Sequence, residues 1–303
     1  MAEQTLSRPA ATTGETRAAV PRLRRWVPYL LLAPSVVYLA VFFASPMLQA
    51  FGLAFTGTTG RFGLESIRAM LGDDWFWPSV LTTLLLLVVL LPVQFALAVG
   101  MGLVVNARLR GSGFWLYVFL LPLGVSELGA GIAWYSIFVQ QGWLNTVLQG
   151  LGVIDTPVIW LDYRDPVRVV ATIVLAEAWR STSLILIILV SGMRAIPRDY
   201  LEAAEVFHAG PWQKLRYVLL PLLRPTIRTA LIVRTVLAFE VFATVVALGG
   251  TGTDVLATQA NRAYTEFQDA HLASAYGLVI LVVSLAAVAV ILVSLPVRRE
   301  RGE

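Results

Sequence analysis

The chain has 303 residues, 57% of them hydrophobic and 14% charged, with a formal net charge of +4; no soluble domain of this size needs so apolar a composition, which marks a membrane protein. Cysteine is absent, which excludes disulfides, thiolate metal sites and a cysteine nucleophile. A basic balance without a soluble basic domain speaks for membrane placement and against nucleic-acid binding.

Residues 1–25, with Thr, Ala, Ser, Pro and Arg and no apolar periodicity, read as a disordered cytoplasmic lead. Apolar stretches follow near 26–48, 80–105, 113–138, 168–192, 226–248 and 273–296. Each reaches the roughly 20 helical residues that cross a bilayer core. None has the alternation of an outer-membrane barrel, so the expected fold is an all-α membrane protein with six transmembrane helices over 26–296. The first stretch exceeds a signal-peptide core and no small-residue cleavage site follows it, so it reads as an uncleaved helix. Trp26, Trp75, Trp77, Trp143 and Trp160 lie near span ends, where indoles anchor at the headgroup layer. Pro92 and Pro122 fall inside spans and are expected to kink them. Ala96 and Gly100 give the second span a face of small residues for close helix approach.

Arginine and lysine set the orientation, because positive loops resist translocation. They cluster before the first span (Arg8, Arg17, Arg22, Arg24, Arg25), after the second (Arg108, Arg110), after the fourth (Arg194, Arg198, Lys214, Arg216, Arg224) and in a tail over 297–303 (Arg298, Arg299, Arg301). Both termini are therefore expected in the cytoplasm of a bacterial cell, with the protein in the plasma membrane. No loop is long enough for an independent domain, so soluble machinery must come from partners. The chain lacks a phosphate-binding Gly-rich loop, and its one lysine, Lys214, has no glycine cradle. His208 and His271 fall on opposite sides by this topology, which excludes a histidine metal or catalytic pair. No catalytic, cofactor-binding or metal-binding residue is expected.

The cytoplasmic stretch 194–225 is too patterned for a linker. Pro197 suits the first turn of a helix, with Asp199 and Glu202 at its positive end and a run to about Phe207. Gly210-Pro211 breaks that helix, and Pro211 opens a second one through Val218, carrying Trp212, Leu215 and Val218, which Pro221 and Pro225 end. Two short helices and a bend make a docking knob.

The segment resembles the signature loop of the permease subunits of binding-protein-dependent ABC importers, in their carbohydrate, maltose-type branch. The shared residues are Pro197, Glu202, Ala203, Ala204, Ala209, Trp212, Gln213, Leu220, Pro221, Leu222, Leu223 and Pro225. Further pieces are similar in order: Asn106 with Gly111, Leu121-Pro122, Trp134 through Phe138, Gly142 and Asn145, Trp179-Arg180, Gly249-Gly250 and Ala273-Ser274-Ala275. The resemblance implies a type I importer permease fold and a coupling role for Glu202, Ala203, Ala204, Ala209, Gly210, Trp212 and Pro221. It also implies two ATP-binding-cassette ATPase subunits that carry ATP and Mg, a second six-helix permease and an extracytoplasmic solute-binding (lipo)protein. The chain itself is then a transport subunit and not an enzyme. Where the family has Asp-Gly, this chain has Phe207-His208, so Gly210 is expected to supply the bend.

Glu127, Glu177, Arg180, Arg234 and Glu240 fall at membrane depth, where an ionised side chain costs roughly 2.5–3.5 kcal/mol. Glu177 and Arg180 share a helix face and can pair, with Trp179 beside them. Arg234 and Glu240 lie on different faces and do not form a local pair. Glu240 between Phe239 and Phe242 suits either a structural pair or a polyhydroxylated ligand. The candidate pathway residues are thus Glu127, Trp134, Glu177, Trp179, Arg180, Phe239, Glu240 and Phe242. The expected function is import of a sugar or polyol-like solute. Other solutes (phosphate esters, amino acids, peptides) and a proton-coupled secondary carrier, with Glu127, Glu177 or Glu240 as relays, are the alternatives.

Overall fold

The computed structural model describes residues 26–57, 60–107, 111–162, 164–250 and 252–296. The lead over 1–25 and the tail over 297–303, with their arginines, lie outside the described residues, as do Arg108 and Arg110. By contacts the chain divides into two units, Met1–Gln49 and Ala50–Glu303. The described residues form helices and turns, with one isolated bridge between Thr56 and Phe62, in agreement with the all-α expectation.

In the first unit, α1 (Val27–Leu39) continues through a π-helical turn at Ala40–Ala44 into α2 (Ser45–Ala54). Its side chains are apolar almost all round and none of those described up to Gln49 is buried, as befits a surface that meets lipid or another chain.

The second unit takes in the end of α2 from Ala50 and continues with α3 (Glu65–Leu71) and α4 (Phe76–Asn106), the latter running unbroken past Pro92. Next come α5 (Ser112–Leu120), a 3₁₀ turn at Leu121–Gly124, α6 (Glu127–Phe138) and α7 (Trp143–Gly150). Helix α8 (Pro166–Ala195) is followed by α9 (Asp199–Val206), α10 (Pro211–Gln213), a π-helical turn at Lys214–Leu219 and α11 (Leu220–Leu222). The remainder is α12 (Arg224–Phe239), α13 (Ala243–Gly249), α14 (Leu256–Thr265) and α15 (Ala270–Ser294).

Among the described residues, four helical segments are long and apolar enough to cross a membrane, and up to six if each of two bent pairs counts as one span. The expected third and fifth spans are the bent ones. The third turns by 97° between Ser112–Gly124 and Glu127–Gly150, and the fifth by 56° between Arg224–Phe239 and Ala243–Gly249. Pro122 lies in the first turn of the 3₁₀ segment that leads into the first of these breaks, where its missing N–H costs little, and Ser126 restarts the helix by accepting the Gly129 N–H at 3.1 Å. Of the two expected proline kinks, then, only the one at Pro122 lies next to a break.

Both π-helical turns sit directly before a proline. The N–H of Ser45 reaches back five residues to the Ala40 carbonyl ahead of Pro46, and that of Leu220 reaches the Leu215 carbonyl ahead of Pro221. A proline ring collides with the carbonyl four residues back, and a wider turn moves that carbonyl aside without ending the helix. Pro221 therefore does not interrupt the chain as expected.

Helix α8 is the centre of the second unit. Its Val169, Ile173, Ala176 and Ala178 pack with Leu86 and Leu90 of α4 and Val245 and Leu248 of α13, and its Ile185, Leu186 and Leu189 pack with Ala98 and Val105 of α4 and Ala230 of α12. The small residues that permit this approach are Ala98 and Gly102, where a Cβ on Gly102 would meet the Met193 side chain at 3.0 Å. The expected pair, Ala96 and Gly100, is exposed instead, and Gly100 has open space around it. A period read from small residues alone does not say which of two neighbouring faces is covered.

Candidate functional site

The knob over 194–225 folds as two short helical pieces, as the sequence leads one to expect. Asp199 and Glu202 lie in the first turn of α9, with Pro197 just outside it. After Val206 the chain closes a Schellman turn. The His208 N–H donates to the Glu205 carbonyl (2.9 Å) and the Ala209 N–H to the Ala204 carbonyl (3.0 Å), with His208 at φ 54°. This corrects the expectation for Gly210, which is extended (φ −66°, ψ 165°) and precedes α10, its N–H held by Gln213 Oε1 at 2.8 Å. The left-handed residue is His208, the position where the signature has glycine, so the geometry persists at a backbone cost of about 1 kcal/mol.

An ion pair of 2.8 Å between Lys214 Nζ and Glu205 Oε1 fastens the second piece to the first. None of the residues of α9 is buried, and Tyr200, Val206, Phe207, Trp212 and Tyr217 are all exposed. A groove of about 600 Å³ runs between α9 and the following helical pieces, past Ala203, Ala204, Phe207, Tyr217 and Pro221. Among the described residues nothing covers this apolar surface.

Inside the bundle the intramembrane charges come together. Glu177 on α8 is wholly buried and Arg234 on α12 is 2% exposed. Arg234 Nη2 meets Glu177 Oε2 at 3.2 Å, and its Nε donates to Gln94 Oε1 at 2.8 Å. Gln94 Nε2 donates in turn to the Glu177 backbone carbonyl (3.0 Å), Ser181 Oγ to Glu177 Oε2 (3.0 Å) and Thr244 Oγ1 to Glu177 Oε1 (2.7 Å). Helices α12 and α13 are thus tied to the Glu177 carboxylate of α8, and α4 is tied to its backbone carbonyl and to Arg234 through Gln94. The expected pair of Glu177 with Arg180 is present and looser, at 3.3 Å. Low dielectric makes such a network rigid when every member is satisfied.

Glu127 has a different task. Its Oε1 accepts the N–H groups of Phe242 and Ala243 at 2.9 Å each and of Thr244 at 3.4 Å. These are the orphan donors that the break in the fifth span creates, so a carboxylate at the start of α6 caps α13 from another helix. The two bent spans are joined at their bends. Gly131 lets them touch, since a Cβ there would lie 2.7 Å from Ala247 Cβ.

The expected pathway residues divide. Trp179, 43% exposed, packs edge-on against half-buried Trp134 at 6.0 Å, and Trp134 stacks on Phe138, which meets Trp160. Phe239 is 2% exposed and packs with Leu87 and Ala238 in the core, so it lines no open path in this chain. Glu240 is exposed at the end of α12 and makes no side-chain hydrogen bond among the described residues, and it does not pair with Arg234. Phe242 is half-buried and contributes its backbone to the Glu127 cap. Sequence reasoning missed Gln94 and Thr244. Gln94 was detectable as a lone amide in an otherwise apolar span, whereas Thr244 was one hydroxyl among many.

A family model described as "Binding-protein-dependent transport system inner membrane component" matches residues 95–302. The chain belongs to this family. Its curated relatives include a sulfoquinovosyl glycerol transport system permease protein of Agrobacterium fabrum, 32% identical over 90% of this chain and 94% of that one. A trehalose transport system permease protein of Mycobacterium tuberculosis is 28% identical over 79% and 78% of the two chains. Among solved structures, a bacterial ABC transporter involved in import of the acidic polysaccharide alginate superposes with a TM-score of 0.77 at 22% identity, covering 88% of this chain and 93% of that chain. That likeness establishes the fold, an all-helical type I ABC permease, and family membership makes the chain a transport subunit.

Proposed function

We propose that this permease forms part of the translocation pathway of an ATP-driven importer for a sugar or polyol-like solute, in a bacterial plasma membrane. Each bent pair counts as one span, giving six over 26–296 with both termini cytoplasmic. The segments over 1–25 and 297–303 flank them on the cytoplasmic side. Two ATPase subunits carry ATP and Mg, a second six-helix permease completes the pore, and an extracytoplasmic binding protein delivers the solute. The carbohydrate names of the relatives support the solute class.

The observation that carries the reading is the exposed knob around α9. Its Glu202 and Ala203 are exposed and Ala204 is half-buried at the groove, and its Schellman turn and the Lys214–Glu205 pair make it one stiff unit. Closure of the ATPases pushes on this unit, and the helical path from Pro211 to α12 passes the movement to the fifth span. Ala209, Gly210, Trp212 and Pro221 shape that path. A proton-relay carrier fits less well, because Glu127 and Glu177 are engaged as braces.

The test is a pull-down of the tagged chain in mild detergent, followed by mass spectrometry and by uptake in reconstituted vesicles. The expected result is recovery of a P-loop ATPase and a second six-span subunit, with Glu202→Lys and Ala203→Asp abolishing ATP-dependent uptake while the chain still inserts. Normal uptake in both variants would remove the coupling role from α9.

A further inference from the structure

We propose that the cavity between the C-terminal ends of α6 and α13 is an entry subsite for a single uncharged sugar ring, with Tyr135 against the ring and Gln140 on its hydroxyls. The inference rests on the import reading above and adds a place where the solute lodges on the extracytoplasmic side of that topology.

The cavity measures about 320 Å³, at the small end of ligand pockets, which suits one ring and not a chain of them. Its lining includes Tyr135, Gln140, Ile159, Gly250 and Gly252, all exposed, so a solute reaches it from the surface. One wall is built in advance by Asn145, which is 1% exposed. Its Nδ2 donates to the Gln140 carbonyl (2.9 Å) and the Val158 carbonyl (2.8 Å), and its Oδ1 accepts the Val158 N–H (3.2 Å) and the Trp160 Nε1–H (3.0 Å). Both donors and both acceptor sites of this amide are thus taken up in holding Gln140 and the segment 158–160 together, which fixes the rim on that side. The opposite wall is glycine. Gly250 adopts φ 56° and ψ −135°, a conformation that suits glycine and presents bare backbone to whatever enters.

Electrostatics select the ligand. Two helices end at the cavity, α6 with Tyr135 and Val139 and α13 with Leu248 and Gly249. Each end carries the negative pole of a helix dipole, and among the described residues the Gly250 N–H makes no bond back to α13. No charged residue lines the cavity, and Arg168 beside it is occupied by the Ile159 carbonyl (3.2 Å) and by Asp165 (3.2 Å). Acceptors without a cation welcome hydroxyl donors and disfavour anions. Tyr135 adds an exposed aromatic face for the C–H side of a pyranose, and the Gln140 amide offers a donor and an acceptor. The apolar Ile159 and Leu161 favour such a ring over a hard metal cation, which takes a shell of oxygens.

The chain has no cysteine, so Ile159→Cys places one thiol at the cavity and Val153→Cys one exposed control thiol on the same loop outside it. The whole importer in phosphatidylcholine nanodiscs is labelled with a maleimide, and the labelling rate of this chain is followed by mass spectrometry with D-glucose, with D-glucuronate and without sugar. D-glucose at twice its Kd is expected to slow labelling of Ile159→Cys about threefold and to leave Val153→Cys unchanged. D-glucuronate is expected to require a concentration about three- to thirtyfold higher, the scale of two helix ends acting on one charge. Adding Tyr135→Ala is expected to abolish the protection. An unchanged rate at Ile159→Cys with D-glucose, while the unaltered importer still takes up sugar with ATP, would overturn the inference and leave sugar import standing. Equal protection by the two sugars, or undiminished protection with Tyr135→Ala, would also overturn it. Absence of protection together with absence of ATP-dependent uptake of any mono- or disaccharide would overturn the import reading as well. If Tyr135→Ala fails to assemble, the comparison of the two sugars on Ile159→Cys decides alone.

Discussion

Replacing Arg234 by methionine keeps the length of the side chain and removes its charge from the centre of the second unit. Glu177, wholly buried, then retains Ser181 Oγ, Thr244 Oγ1 and the looser Arg180, and Gln94 Oε1 loses its donor. Removing one partner of a buried ion pair costs about 3–5 kcal/mol, chiefly because the surviving charge stays out of water. At about 2–4 °C per kcal/mol for a chain of this size, the purified protein should melt roughly 6–20 °C lower. The double variant Arg234→Met with Glu177→Leu removes both charges and should recover more than half of that loss. Ser181 and Thr244 can turn back to carbonyls of their own helices. Adding Gln94→Leu should recover most of the remainder by removing the orphaned amide. The assay is a thermal melt in nanodiscs, read as a double-mutant cycle. A double variant no more stable than Arg234→Met alone would refute the view that the loss comes from the Glu177 charge left buried without its partner.

Three further outcomes follow from separate features. Glycine at position 208 frees the left-handed backbone from its side-chain cost, so His208→Gly should stabilise α9 by about 1 kcal/mol, read as slower amide exchange over 199–210, whereas His208→Val should accelerate it. Glu127→Ala strips the cap from α13 and should cost about 2 kcal/mol, with faster amide exchange confined to residues 242–246; Glu127→Gln, which keeps an acceptor oxygen, should lose less. Gly131→Val places a methyl-bearing carbon 2.7 Å from Ala247 Cβ, which should lower the melting point through overpacking worth about 1–3 kcal/mol, and Ala247→Gly should relieve it.

Much of this protein was decided by composition and local pattern. Apolar stretches near 80–105, 168–192 and 273–296 became α4, α8 and α15 within a few residues, because a backbone with no water to bond must bond to itself. The knob over 194–225 was equally plain: proline positions, acidic residues at a helix start and a paired alanine are local features, and local features survive in sequence. Tertiary structure decided what depends on two distant segments at once. The breaks in the third and fifth spans are tolerated because Glu127 caps the helix that the second break exposes, 115 residues away along the chain. Arg234 could be seen to need a partner, but only folding chose Glu177 and Gln94 over Glu240, since helix rotation sets which faces meet. The left-handed turn at His208, by contrast, is local: it is fixed by the hydrogen bonds to the Ala204 and Glu205 carbonyls, and whichever residue occupies that place must adopt the angle.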